Sequence, residues 1–140
     1  MIKKLYKILI LPYTLFLLYL MFLGMGRSMM EDNAVRLKPI LSTLWFIEET
    51  ILWTDIVKIV IGNIIMFMPF GFLGWCFPSL KDLKNLMYTF VSAITIVEGL
   101  QYFTRMGIFE VDDILLNTLG VYLGWLLCRG IEKRISRSAL

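Results

Sequence analysis

The chain has no histidine, only two cysteines and few charged residues, which make up 18% of its 140 residues. Without histidine or a cysteine cluster, the sequence has neither the ligands of a typical zinc site nor an imidazole base, so we predict no metal site and no cofactor. Any chemistry would have to use carboxylates, amides and arginine. We therefore expect the function to rest on a small number of polar residues of those types.

Charge is scarce because apolar residues make up 59% of the chain, a balance typical of integral membrane proteins. The net charge of +3 comes from bases that are spread along the chain, so it predicts no nucleic-acid partner. A chain of 140 residues has little room for a soluble domain beside its spanning segments. Residues 1–140 are therefore predicted to form a single membrane domain.

Four apolar stretches are long enough, or nearly so, to cross about 30 Å of hydrocarbon. They run from Ile8 to Met25, Ile56 to Phe77, Leu86 to Phe103 and Ile114 to Cys128. The first is predicted to be an uncleaved anchor, because no small-residue cleavage site follows it. The fourth is predicted to begin near Asp112 or Asp113, whose carboxylates suit the first turn of a helix. The predicted fold is all-α, a polytopic membrane protein with four transmembrane helices.

The first connection, from Gly26 to Asp55, is the longest and has a helical pattern of its own. Its apolar residues recur at spacings of four, three and four, namely Ile40, Leu44, Ile47 and Ile51. This pattern predicts an interfacial helix on the outer surface of the membrane. Trp45 and Trp53 favour simple aromatic anchoring, and a lid over a site in the outer leaflet is the alternative.

Basic residues concentrate in the two ends of the chain and between the second and third stretches. They are Lys3, Lys4, Lys7, Lys81, Lys84, Arg129, Lys133, Arg134 and Arg137, against Arg27, Arg36, Lys38 and Arg105 in the other connections. By the positive-inside rule, both termini are predicted to be cytoplasmic. Cys76 and Cys128 then lie toward the reducing side, where no disulfide is expected.

Glu98 is the most informative residue, because it lies inside the third apolar stretch, where lipid is the expected surrounding. A charged side chain at that depth is costly unless it meets a partner or a wet cavity, so such residues are functional candidates. Gln101 and Arg105 follow at spacings of three and four, which places the three side chains on one helix face. That face leads toward Asp112, Asp113 and Asn117.

Asn63, Glu98 and Asn117 are predicted to lie at one depth in three different helices. At about 1.5 Å of rise per residue, each lies roughly 7 to 11 Å from the outer end of its stretch. Polar groups from three helices at one depth predict a shared pocket in the outer half of the membrane. The residues predicted to bind a ligand there are Asn63, Glu98, Gln101, Arg105, Asp112, Asp113 and Asn117.

The fourth stretch has a polar outer end and a small-residue inner end on one face. Gly120 and Gly124 form a small-xxx-small pair, which predicts that another helix approaches closely. In the second stretch, Pro69 removes a backbone hydrogen bond and predicts a kink that would open space beside Asn63.

Two segments resemble the VanZ-like family of membrane proteins. The first, from Gly62 to Phe72, has that family's asparagine, apolar run and Pro-Phe-Gly. The second, from Glu98 to Gly124, has its glutamate, glutamine, arginine, aspartate, asparagine and glycine pattern, and the core motifs lie within about residues 56–125. The resemblance implies a role in the bacterial cell envelope or in antibiotic response, because the founding member is associated with teicoplanin resistance.

Three hypotheses fit these residues. The pocket binds a lipid-linked cell-wall precursor or a lipoglycopeptide, with Arg105 paired to a phosphate or carboxylate. Alternatively, the protein is a membrane enzyme acting on lipid-linked precursors, with Glu98 as general acid or base opposite Asp113. In the third hypothesis the polar residues satisfy one another as a structural clamp. The partners predicted are membrane lipid and such a ligand, and the sequence leaves open whether the chain forms a homo-oligomer in the bacterial cell membrane.

Overall fold

The computed structural model describes residues 2–24, 35–36 and 53–137, which are mainly helical. The elements are α1 (Ile2–Phe22), β1 (Val35–Arg36), α2 (Trp53–Phe67), a 3₁₀ helix (Met68–Trp75), a short 3₁₀ helix (Pro78–Lys81), α3 (Leu83–Phe103), β2 (Phe109–Glu110) and α4 (Val111–Arg137). The predicted interfacial helix, around residues 40–51, lies outside the described residues.

Three helices, α1, α3 and α4, are long and apolar enough to cross a membrane. They correspond to the first, third and fourth apolar stretches of the sequence. As predicted, Asp112 and Asp113 lie in the first turn of α4. The second stretch is divided between α2, which has 15 residues, and the 3₁₀ helix that follows it directly.

The helices have two distinct ends. At one end α1 and α3 finish and α2 and α4 begin, and we call it the two-loop end because the connections α1–α2 and α3–α4 start and finish there. The first residues of α1, the last residues of α4 and the connection 76–82 lie at the opposite end, which we call the terminal end.

The apolar core draws on every helix. One buried cluster contains Leu17 from α1, Phe67 from α2, Phe90 and Ile94 from α3, and Val121 from α4. The rings of Phe67 and Phe90 meet edge to face, with their centroids 5.7 Å apart. In the apolar part of α1 only 6% of residues are buried, against 28% in α3 and in α4. Of these three helices, α1 is therefore the most peripheral.

The second apolar stretch changes helix type in its middle. α2 ends at Phe67, and the 3₁₀ helix begins with Pro69 in its first turn. Proline has no N–H, and its ring clashes with the carbonyl four residues earlier, so an unbroken α-helical pattern is disfavoured there. The sequence predicted a kink at Pro69, and the structure has a change to 3₁₀ geometry at this point.

Two tyrosine hydroxyls attach α1 to this segment. Tyr13 donates to the carbonyl of Met66 at 2.7 Å, and Tyr6 donates to the carbonyl of Pro69 at 2.9 Å. In a 3₁₀ pattern the partner of the Met66 carbonyl would be the N–H of residue 69, which proline lacks. The Tyr13 hydroxyl therefore satisfies a carbonyl that the change in helix type leaves available.

On its other side, the segment packs against α4 backbone to backbone. Gly120 lies on the carbonyl of Ile64 and Gly124 on the carbonyl of Met68, and a Cβ at either glycine would overlap that backbone. Gly71 lies in turn against the backbone of α4 at Gly124. The close approach predicted from the two glycines of α4 is confirmed.

Two short strands join the connections at the two-loop end. β1 pairs with β2 in parallel, with Val35 opposite Phe109 and Arg36 opposite Glu110. The all-α prediction contained no strand, because a pair of two-residue strands is too short to show an alternating pattern. The pairing places Val35 and Arg36 beside Phe109 and Glu110, directly before the start of α4, where the candidate polar residues begin.

Candidate functional site

Three polar side chains are buried near the two-loop end. Glu98 is 1% exposed and Gln101 is 4% exposed, both on α3, and Asn117 on α4 is 2% exposed. A polar group that leaves water costs free energy unless it finds hydrogen-bond partners, so this concentration needs a structural or functional reason. We call these three residues, together with Asn63, Asp112 and Asp113, the polar cluster.

Asn63 and Asp113 are in direct contact. The Nδ2 group of Asn63 donates to Oδ1 of Asp113 at 3.1 Å, which joins α2 to the first turn of α4. The glycine contacts of Gly120 and Gly124 bring the two helices close enough for these short side chains to meet. The structure thus brings together two residues that the sequence placed 50 positions apart.

Gln101 connects α3 to α1. Its Nε2 group donates to the carbonyl of Met21 at 2.8 Å. Met21 lies in the last turn of α1, where carbonyls have no partner within the helix. The side chain predicted to bind a ligand therefore also holds the end of the peripheral helix in place.

Arg105 lies just beyond the end of α3 and is exposed. Its φ of 58° is in the left-handed region, where glycine is the usual residue. The backbone N–H of Arg105 donates to Tyr102, and that of Met106 donates to Gln101, which is the hydrogen-bond pattern of a Schellman helix end. A residue with a Cβ costs about 1–2 kcal/mol in this conformation, so the position carries strain. Strained positions of this kind concentrate at functional sites.

Asn117 and Glu98 are the most deeply placed members of the cluster, on the packed helices α4 and α3. Within the part of the chain that the structure describes, Oδ1 of Asn117 is buried and accepts no hydrogen bond. Oε2 of Glu98 is also fully buried. Asp112, beside Asp113, is half-buried.

A family model described as VanZ/LLP1 matches residues 10–132. The chain belongs to the VanZ/LLP1 family. The match covers the polar cluster and the glycine contacts, and it confirms the resemblance found in the two motifs. Comparisons with curated proteins and with solved structures gave no match.

In this VanZ/LLP1 member, the polar cluster offers carboxylate and amide groups, with a guanidinium at its edge. Such groups can accept from hydroxyls, donate to carbonyls and pair with a phosphate or carboxylate. In the described ranges, no group of three or more histidine, cysteine, aspartate or glutamate residues is arranged to hold a metal ion.

Sequence reasoning missed a second polar group, at the terminal end. Glu132 accepts hydrogen bonds from Lys3 and from the indole of Trp75, each at 2.9 Å, and Arg129 lies 3.9 Å from its other oxygen. The Lys3 ammonium lies 5.5 Å from the centre of the Trp75 ring. One signal was available, since Glu132 is the only acid among the basic residues from 129 to 137.

Sequence reasoning also missed an apolar cavity of about 300 Å³ between α1, α3 and the helical segment 67–73. Its walls include Leu17, Phe67, Phe90 and Ile94. No residue of the polar cluster lines this cavity. Apolar side chains at helical spacing are typical of any core, so the sequence contained no signal for an opening here.

Proposed function

We propose that this VanZ-like protein is a multi-pass protein of the bacterial cell membrane that binds a lipid-linked cell-wall precursor or a lipoglycopeptide at its polar cluster. In this proposal the chain crosses the membrane four times, both termini are cytoplasmic, and the cluster faces the outer leaflet. The proposal extends to tolerance of teicoplanin, which the family name suggests.

The length of the helical segment 53–75 supports a fourth span. α2 has 15 residues and the 3₁₀ helix has eight. With rises of about 1.5 and 2.0 Å per residue, the two helices together extend about 38 Å, more than the ~30 Å of a hydrocarbon core. Four spans put both termini on one side, and the bases at the terminal end favour the cytoplasm.

Asn117 is the observation that carries ligand binding. Its side chain is 2% exposed, and its Oδ1 accepts no hydrogen bond from the residues that the structure describes. A buried amide oxygen in this state costs about 1–3 kcal/mol, which a hydroxyl or amide of a ligand would recover. Glu98, buried on the neighbouring helix, adds a strong acceptor at the same end of the bundle.

Arg105 supplies the charge for an anionic ligand. Its side chain is exposed at the two-loop end, just past the buried Gln101. A guanidinium binds phosphate or carboxylate in a two-pronged geometry. The left-handed backbone of Arg105 would be relieved by glycine, so an arginine here is better explained by its side chain than by its backbone.

A structural clamp is the second candidate, and two contacts favour it. The hydrogen bonds from Asn63 to Asp113 and from Gln101 to Met21 each join a pair of helices. A clamp uses these bonds, and contacts of Arg105 within the chain, to fix the helices, and it requires no ligand. The two functions therefore differ in what they expect of Arg105 and Asn117.

The test is teicoplanin and vancomycin susceptibility in a sensitive Gram-positive host that expresses wild type, Glu98→Gln or Asp113→Asn at matched membrane levels. Thr95→Val, at an exposed position of α3, is the control. We expect wild type and the control to raise teicoplanin tolerance and both cluster variants to lose it. A wild type that leaves susceptibility unchanged would refute the teicoplanin role.

Arg105→Gly separates binding from clamping. Glycine fits the left-handed position, so we expect the free energy of unfolding of the purified protein to rise by about 1 kcal/mol. Tolerance of teicoplanin should be lost. Arg105→Lys keeps a charge and should retain part of the tolerance. If Arg105→Gly keeps full tolerance, the guanidinium has no part in binding and the clamp is the better explanation.

A further inference from the structure

The cavity between α1 and α3 is a narrow apolar groove. Its lining is apolar except for Thr14 and Thr89, and the hydroxyl of Thr14 already donates to the carbonyl of Ile10. Thr89 and Ala93 are exposed, so the groove opens sideways between α1 and α3. A space with an almost wholly apolar lining offers water few hydrogen bonds and does not hold it.

The groove has the length of a lipid chain. Along α3 its lining runs from Leu86 to Val97. Eleven residues of α-helix rise roughly 16 Å, which is about half of the ~30 Å hydrocarbon thickness. Its volume of about 300 Å³ is also that of a small ligand pocket.

One end of the groove reaches the polar cluster. Val97 lines the groove and directly precedes Glu98. Met21 also lines it, and the Met21 carbonyl accepts the hydrogen bond from Gln101. A molecule with its tail in the groove would therefore have its polar part beside Glu98 and Gln101.

We infer that the groove between α1 and α3 holds the acyl chain of the same ligand whose polar part binds at the polar cluster. The inference rests on the proposed function and narrows the ligand to an anionic lipid with a linear chain. The chain would be held by van der Waals contacts with the walls of the groove, because the walls lack such contacts while the groove is empty. Bulk lipid chains gain the same packing, so the polar cluster supplies the selectivity.

Photolabelling in nanodiscs of phosphatidylcholine tests this. The probe is a long-chain alkyl phosphate with a diazirine in its tail, and the comparison probe has the same tail on phosphocholine. We expect the phosphate probe to label peptides that contain residues 14–21 and 86–97 more than the phosphocholine probe does. Ala93→Phe fills the opening of the groove and should lower this labelling about tenfold, equivalent to ~1.4 kcal/mol of binding.

Ser92→Phe is the matched control, because Ser92 is the neighbouring exposed position and does not line the groove. Thr89→Phe is a second blocking variant if Ala93→Phe does not fold. Labelling that both blocking variants leave unchanged would overturn the groove as a chain site. Equal labelling by the two probes would instead assign the groove to bulk lipid and overturn the link to the ligand.

The susceptibility assay distinguishes this inference from the proposed function. If wild type confers tolerance and Ala93→Phe keeps it, the polar cluster acts without the groove and the inference is wrong. If wild type confers none while the alkyl phosphate still labels the groove selectively, the chain site stands and the teicoplanin role is wrong.

Discussion

The two sides of the helical segment 53–75 are held in different ways. On the α4 side, Gly120 and Gly124 lie directly on the carbonyls of Ile64 and Met68. On the α1 side, the contacts include two tyrosine hydroxyls, and a cavity of about 300 Å³ separates α1 from α3. On the α4 side the two backbones are in direct contact, whereas on the α1 side separate side-chain hydrogen bonds make the attachment.

This difference divides the polar cluster as well. The bond between Asn63 and Asp113 crosses the close-packed side, where the backbones of α2 and α4 are too close to admit a Cβ at Gly120. The bond between Gln101 and Met21 instead joins α3 to α1, the peripheral helix. We infer that the α4 side fixes the position of Asn63 and Asp113. Under the proposed function, a ligand would enter from the α1 side.

The largest loss of stability is expected from Gly124→Ala, which adds a side chain on the close-packed side. The added Cβ would overlap the Met68 carbonyl, so α4 must shift and stability should fall by at least about 2–3 kcal/mol. Thermal unfolding in detergent, followed by circular dichroism and gel filtration, measures this change.

Gly130→Ala is the control for that substitution, because it lies in the same helix and its Cβ would meet open space. It should be stabilising by about 0.5–1 kcal/mol, the usual gain of alanine over glycine within a helix. Equal stability of the two alanine variants would mean that the backbones do not approach as described.

Tyr13→Phe removes a contact on the α1 side and should cause an intermediate loss of stability. Loss of the hydroxyl removes this donor from the Met66 carbonyl, three residues before Pro69, which costs about 1–3 kcal/mol. Tyr19→Phe, at a position that is 55% exposed, should cost less than Tyr13→Phe. If the two variants unfold at the same temperature, the tyrosine contact does not hold α1, and the contrast between the sides is weaker than we describe.

Glu132→Gln should have the smallest effect. The amide can still accept from Trp75, so the variant removes mainly the charge pairing with Lys3. The Lys3 side chain is 52% exposed, and pairs this exposed are worth less than ~1 kcal/mol. The loss should shrink in high salt, because mobile ions screen exposed charges. A double-mutant cycle with Lys3→Gln measures the coupling energy between Lys3 and Glu132. A coupling energy that does not change with salt would contradict the exposed position of this ion pair.

On the α4 side, much of the structure could be predicted from the sequence. A hydropathy pattern follows from the apolar surroundings of a span, so α3 and α4 were placed within a few residues at their starts. The spacing of Gly120 and Gly124 predicted a close helix contact, since small side chains are what such a contact requires. Glu98 is conspicuous in an apolar helix, so the sequence drew attention to the polar residues near it, while their binding of a ligand stays a prediction.

The α1 side could not be predicted in this way. The hydrogen bonds of Tyr6 and Tyr13 end on backbone carbonyls, which carry no residue-specific signal. The 3₁₀ helix follows from Pro69, but its continuation to Trp75 depends on how it packs against α4 and α1. The groove is a space left by the packing of distant helices, and no local pattern encodes a space.

The tyrosine contacts also bear on the biogenesis of the protein. Tyr13 and the carbonyl that it binds are separated by 53 residues, and Tyr6 and its acceptor by 63. During synthesis α1 emerges before the segment that it binds. The two tyrosine hydrogen bonds can therefore form only after Met66 and Pro69 have been translated. Docking of α1 onto this segment therefore requires synthesis of the second apolar stretch but not of α3 or α4.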